Sequence, residues 1–245
     1  MIEINNTENC LKGKTILVTG AGAGIGKSAA IHFSKFGAEV ILLGKTTAKL
    51  EATYDEIVKL GYPEPAIIPL DLNGATKQNY LDMANTIKDT FGKLDGVLHN
   101  ASSLGTIMPF EQMSEEMVDE IFKVNLTSQF KMTQALLPIL KLAKTASVLF
   151  TSSGVGRKGK AFWGAYSISK FATEGMMQVL ADEYDNTQIR FNSINPGATA
   201  TKMRRIAFPA EEQAKLTQPD DIMPIYIHLM SDNSLNINGQ ALNAQ

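Results

Sequence analysis

Cysteine is almost absent: Cys10 is the single one in 245 residues. An internal disulfide is thereby excluded, as is a thiolate cluster for zinc, and a reducing compartment fits. An excess of charge is also lacking. With 23 basic against 25 acidic side chains and a net charge of -2, there is no electrostatic footprint for nucleic acid or an anionic membrane surface. No apolar run approaches bilayer-spanning length, and Met1-Ile2-Glu3-Ile4-Asn5-Asn6 lacks the basic and apolar regions of a signal peptide, so a cytoplasmic protein is expected. The three histidines, His32, His99 and His228, are too scattered for metal-ligand spacing, and no metal is expected. Low-complexity segments, repeats and linker-like composition breaks are missing as well.

What is present is ordinary globular composition, 44% hydrophobic and 20% charged, enough for a sizeable core. Short β-branched or apolar runs at 15–18, 40–43, 67–70, 96–98, 147–150 and 189–194 read as strands. Between them, helical periodicity marks about 25–36, 48–60, 79–91, 114–124, 126–142 and 166–183. This alternation predicts an α/β fold: one doubly wound Rossmann domain over residues 1–245, with a mostly seven-stranded parallel sheet covered by helices on both faces. Its ligand crevice is expected at the carboxyl ends of the strands, where strand order reverses. The longest irregular stretch, 198–218, with Met203, Arg204, Arg205, Phe208 and Pro209, is a candidate lid.

Thr19-Gly20-Ala21-Gly22-Ala23-Gly24-Ile25-Gly26 falls between the first strand and the first helix. Glycines there permit a tight turn and let backbone N–H groups approach a diphosphate. A run of glycines elsewhere would read as a flexible turn; opening a βαβ unit, it reads as a dinucleotide site. The second strand ends at Gly44-Lys45, where a carboxylate would otherwise grip a ribose 2′-hydroxyl. A cation in its place favours NADP(H) over NAD(H).

Tyr166 and Lys170 are spaced i, i+4, so on a helix they share one face and the ammonium can favour the phenolate, lowering the tyrosine toward the working range of a general acid or base. Chance alone can supply such a pair; its weight comes from what surrounds it. From the first strand to about Gln240 the chain resembles the short-chain dehydrogenase/reductase family. The resemblance rests on the glycine loop 19–26, Asp71-Leu72, Asn100-Ala101, Asn125 within Val124-Asn125-Leu126, Ser153 thirteen residues before Tyr166, Lys170, and Asn195-Pro196-Gly197 followed by Thr199 and Thr201.

The resemblance implies a carbonyl–alcohol oxidoreductase acting on a small molecule. Tyr166 exchanges a proton with the substrate oxygen, Ser153 donates a hydrogen bond to that oxygen, Lys170 binds the nicotinamide ribose and lowers the tyrosine pKa, and Asn125 holds a water in the proton relay. Gly20, Gly22, Gly24, Ile25, Gly26, Lys45, Asp71, Leu72, Asn100, Ala101, Pro196, Gly197, Thr199 and Thr201 are implied cofactor contacts, with Asp71 and Leu72 at adenine. A homodimer or homotetramer through helices 126–142 and 166–183 is implied too.

One motif departs: His99-Asn100-Ala101-Ser102 stands where the family usually has NNAG. The Ser102 hydroxyl is expected to find a backbone carbonyl and to touch none of the four catalytic positions. Phe162 and Trp163 are candidates for a pocket wall, whereas Lys202, Arg204 and Arg205 read better as solvated lid charges than as an anion site. Two other readings compete. A catalytically silent NADP-binding regulatory protein is opposed by the complete Ser153, Tyr166, Lys170 and Asn125 set. A sugar-nucleotide epimerase or dehydratase is opposed by the roughly fifty residues after Pro196-Gly197, too few for a second substrate domain.

Overall fold

A computed structural model of the chain describes Ile4 and residues 6–245. Seven parallel strands form its sheet: β1 (Thr15–Thr19), β2 (Glu39–Gly44), β3 (Ala66–Pro69), β4 (Gly96–His99), β5 (Ala146–Thr151), β6 (Ile189–Asn195) and β7 (Ala241–Asn243). Their spatial order is β3-β2-β1-β4-β5-β6-β7, so the chain reverses direction across the sheet between β1 and β4. Helices α1 (Gly24–Lys35), α2 (Thr47–Lys59), α3 (Lys77–Phe91), α4 (Glu115–Phe122), α5 (Ser128–Leu140), α6 (Gly164–Glu183), α7 (Lys202–Ala207) and α8 (Met223–Met230) connect the strands.

Side chains along a strand alternate between faces, and here both faces are covered. Leu17 of β1, Val97 of β4 and Val148 of β5 pack with Ile87 of α3, Leu136 of α5 and Met177 of α6. Their neighbours Ile16, Val18, Leu98 and Leu149 pack on the other side with Phe33 of α1, Ile57 of α2 and Tyr226 of α8. Continuous apolar strands are what a sheet buried on both sides requires.

Two features differ from the sequence expectation. The helices expected at 114–124 and 126–142 are joined by a π-helical turn, Lys123–Thr127, with Asn125 buried at its centre. The stretch 198–218 contains α7, whose first turn is capped by Thr201 Oγ1 accepting from the Arg204 amide at 3.1 Å. The chain after Gln240 forms β7, the seventh strand: Arg157 donates to the Leu242 carbonyl and to Asn243 Oδ1, both at 2.8 Å. Gln245 then donates to the Pro196 carbonyl at 2.6 Å.

Candidate active site

The strand-order reversal brings the carboxyl ends of β1 and β4 together. Thr19 Oγ1 accepts from the amides of Asn100 and Ala101 at 2.9 and 3.0 Å and donates to the Leu98 carbonyl at 3.2 Å. The Asn100 side chain returns a bond to the Thr19 carbonyl at 3.3 Å. At this junction Gly26 permits a close approach that a larger residue would block: a Cβ there would lie 2.3 Å from the Gly20 carbonyl oxygen and 2.6 Å from Asn100 Nδ2. Helix α1 therefore starts hard against the strand ends. Its N-cap, Ala23, is extended and has no side-chain cap among the described residues, so first-turn N–H groups remain available to an anion.

In front of this helix start lies a cavity of about 330 Å³, lined by Gly20, Gly24, Ile25, Asn100, Ala101, Pro196, Gly197, Thr199 and Thr201. Ser102, Ser153, Tyr166 and Lys170 line the same space. Buried Ser152 Oγ, also on its wall, has no partner among the described residues, a vacancy a bound ligand can fill. Glycines at the diphosphate position, an uncapped helix start and an orphan hydroxyl together fit the nicotinamide and phosphate end of a dinucleotide.

Gly22 faces elsewhere: a Cβ on it would meet Lys49 Cβ of α2 at 2.8 Å. Lys45, Asp71 and Leu72, expected at the adenosine end, lie outside the cavity lining. Lys45 is exposed directly after β2, Asp71 is exposed and turned to the Asn73 amide, and Leu72 is packed in the core.

Tyr166 lies in the first turn of α6 and Lys170 one turn further. The Lys170 ammonium sits 5.6 Å from the Tyr166 ring centroid and donates to the Thr151 carbonyl at 2.8 Å. Gly156, just beyond β5, lets that turn close onto the lysine, since a Cβ there would meet Lys170 Cβ at 2.6 Å.

Burial governs the electrostatics of this pair. It pushes Tyr166 up to about 12, against the Ser153 and Ser102 hydroxyls, which pull it down as hydrogen-bond partners. It also brings Lys170 down to about 8, with the Glu174 carboxylate acting in the opposite sense. The expectation that Lys170 lowers the tyrosine is thus corrected for the free protein: both side chains lose hydration, and charging either one is disfavoured. Tyr166 stands as a neutral phenol, a proton donor.

Asn125 is wholly buried, and all of its amide capacity is taken up. Oδ1 accepts from the Ser103 amide at 2.7 Å and from Ser102 Oγ at 3.0 Å. Nδ2 donates to the Ser103 carbonyl at 2.8 Å and to Ser169 Oγ at 3.0 Å, and Ser169 in turn donates to the Tyr166 carbonyl at 2.7 Å. The side chain therefore ties the loop after β4 to the tyrosine helix, and any water held by this residue would have to use its backbone. Ser102 overturns its expectation, because its partner is the side chain of Asn125, one of the four catalytic positions, and not a backbone carbonyl. No spacing rule predicts this; only the NNAG departure marked the position.

Opposite the tyrosine, α7 closes the cavity with Met203, whose sulfur accepts from Tyr166 Oη at 4.0 Å, and with Ala207. Thr201 Cγ2 lies 3.4 Å from where a Gly24 Cβ would stand, so α7 begins against the glycine loop. Trp163 reaches Tyr166 and Phe208, each at 5.8 Å between centroids. Phe162, by contrast, is exposed and holds a left-handed φ of 72°. Arg204 is engaged by Glu211 at 2.7 and 2.5 Å and stacks on Phe208 at 3.8 Å.

A family model described as short chain dehydrogenase matches residues 14–212. The uncharacterized oxidoreductase YciK of Escherichia coli K12 is 46% identical over 238 residues, which is 97% of this chain and 94% of that protein. A short chain dehydrogenase structure from Pseudomonas syringae superposes with a TM-score of 0.98 at 51% identity, covering all of both chains. A Shigella flexneri short chain dehydrogenase complexed with NADP gives 0.95 at 46% identity, covering 98% of this chain and 100% of that one. With the Rossmann sheet, the glycine loop and the Ser153, Tyr166 and Lys170 cavity, the match over 14–212 makes this chain a member of the short-chain dehydrogenase family.

Proposed function

We propose that the chain is an NADP(H)-preferring oxidoreductase that interconverts a carbonyl and an alcohol on a small-molecule substrate. The observation that carries the reading is the meeting of Ser153, Tyr166 and Lys170 with the glycine loop in one cavity. Gly20, Gly24, Ile25, Asn100, Ala101, Pro196, Gly197, Thr199 and Thr201 would hold the nicotinamide and phosphate half of the cofactor, and Lys45, Asp71 and Leu72 the adenosine half. When bound, the cofactor supplies or accepts a hydride.

The residues of the chain manage the proton. Tyr166 Oη, a neutral phenol whose proton burial holds more firmly, gives that proton to the carbonyl oxygen in reduction and takes it back in oxidation. Ser153 donates a hydrogen bond to the same oxygen as negative charge develops there. Lys170, when charged, favours the phenolate that follows proton loss. Leu104, Trp163, Met203 and Ala207 wall the substrate side and exclude water from the transfer.

Preference for NADP(H) is supported by Lys45 standing where a carboxylate would repel a 2′-phosphate, and by the NADP complex of the Shigella relative. Self-association is part of the same reading. Helix α6 carries Ile168, Phe171 and Val179 exposed along one side, and Phe130 of α5 is exposed as well, the kind of apolar surface that oligomers cover. So is a single catalytic domain in a reducing, cytoplasmic setting, supported by one free cysteine, Cys10. Among the described residues, no helix is long and apolar enough to cross a membrane. The test is NADPH oxidation at 340 nm across a panel of ketones and aldehydes. Turnover with NADPH above that with NADH is expected, and binding without turnover of any carbonyl would replace this reading with a silent cofactor-binding protein.

A further inference from the structure

Gly197, in the loop that follows β6, holds a left-handed φ of 73°, and a Cβ on it would lie 2.9 Å from both Cδ and Nε2 of Gln245. The glycine therefore does two things: it allows the turn, and it leaves a seat that the Gln245 amide fills. From that seat Nε2 donates to the Pro196 carbonyl at 2.6 Å and to Thr199 Oγ1 at 3.2 Å, while Oε1 accepts from Thr217 Oγ1 at 2.9 Å. Both amide protons are used. The Thr199 hydroxyl gives its own proton to the Pro196 carbonyl at 2.9 Å, which leaves its lone pairs for Gln245.

These partners belong to two parts of the cavity. Pro196, Gly197 and Thr199 line it from the loop after β6. Thr217 stands where the lid returns: it is bridged to Thr199, and its carbonyl accepts from the Ala200 amide at 2.9 Å. Between those two ends the lid carries Thr201 against the glycine loop, Met203 on the Tyr166 phenol and Phe208 against Trp163.

We propose that Gln245 is a positioning residue whose amide pins the loop Pro196–Thr199 to the returning end of the lid, so that this wall of the cavity is set before the cofactor binds. Gln245 does not itself line the cavity; it acts through residues that do. Without its amide, backbone pairing at Thr199 and Thr217 still closes the base of the lid, but the Pro196 carbonyl is left with a hydroxyl of its own loop. A wall already ordered spares the bound state the cost of ordering it, which favours affinity.

This inference rests on the nicotinamide half of NADPH lying against Pro196, Gly197 and Thr199, and its test separates the two. The full chain is titrated with NADPH and with adenosine 2′,5′-bisphosphate, which carries only the adenosine end. Gln245→Ala should raise the NADPH dissociation constant by about 3–10-fold and hold that of the bisphosphate within about twofold of wild type. Thr217→Val, which keeps volume and drops the hydroxyl, should raise the NADPH constant by about 2–4-fold alone and by under about 1.5-fold when added to Gln245→Ala, where its bond is already gone. Trp163, the only tryptophan of the chain, reports on the lid in the free protein through its contact with Phe208. Its acrylamide quenching constant should rise by about 1.5–2-fold in Gln245→Ala.

An NADPH constant in Gln245→Ala within about twofold of wild type would overturn the proposal. So would equal weakening of NADPH and the bisphosphate, which would mark a general loss of structure, or a Thr217→Val effect undiminished in the Gln245→Ala background. Raised Trp163 quenching in Gln245→Ala, when the wild type binds NADPH no more tightly than the bisphosphate, would support the tie while overturning the placement of the nicotinamide half. Tighter NADPH binding by the wild type with quenching unmoved in Gln245→Ala would do the reverse.

Discussion

The Lys170 ammonium faces the ring of Tyr166 at 5.6 Å from its centroid, while its hydrogen bond goes to the Thr151 carbonyl at 2.8 Å. The lysine therefore lies over the ring, with its hydrogen bond spent on the backbone and not on the phenol oxygen. With Lys170 brought down to about 8 and Tyr166 pushed up to about 12 by burial, the free site keeps the phenolic proton in place. A bound cofactor ribose offering hydroxyls to Lys170 would help hold its charge and would thereby couple proton release to cofactor binding.

Cofactor choice should respond to Lys45. Lys45→Asp places a carboxylate where the second strand ends, and the expected outcome is a rise in the NADPH dissociation constant of ~10–100-fold together with tighter NADH binding. Fluorescence titration of both cofactors checks it. An unchanged NADPH-to-NADH ratio would detach Lys45 from the 2′-phosphate.

His99 should make the fold acid-sensitive. It is buried, stacked on Phe150 at 5.0 Å and bonded to Thr133 at 2.9 Å, and burial lowers its pKa to about 3. Between pH 6.5 and 3 the unfolded chain takes up a proton that the folded chain refuses. Stability is therefore full above pH 6.5 and falls by up to about 1.4 kcal/mol per unit below it. His99→Asn, which restores the usual family residue, should flatten urea-derived stability between pH 6.5 and 4.5. An equal slope in both proteins would place the acid sensitivity elsewhere.

The exposed stripe on α6 should report assembly. Phe171→Asp combined with Val179→Asp should shift sedimentation velocity toward monomer, at wild-type helix content by circular dichroism. A double variant that sediments like wild type would exclude this face from the interface.

Six strands were legible as short apolar or β-branched runs; β7 was not, because Ala241, Leu242 and Asn243 have no pattern of their own and are placed by their parallel pairing with β6 and by tertiary bonds such as Arg157 to the Leu242 carbonyl. Helix α8 escaped for the opposite reason. Its residues are buried nearly all round, leaving no amphipathic periodicity to read. Of the site, Tyr166 and Lys170 were readable as a spacing along the chain, and Ser153 through the family resemblance. The tie from Ser102 through Asn125 to Ser169 joins three elements across a π-turn, a contact that no local pattern encodes.

Tyr166→Phe isolates the proton donor, because it removes one oxygen and leaves the cavity's shape and the cofactor contacts in place. Measured by stopped-flow NADPH oxidation with the best carbonyl of the panel, the variant should lose ~10²–10⁴-fold in turnover. Its NADPH dissociation constant should remain within about twofold of wild type. Wild-type turnover in Tyr166→Phe would contradict the account.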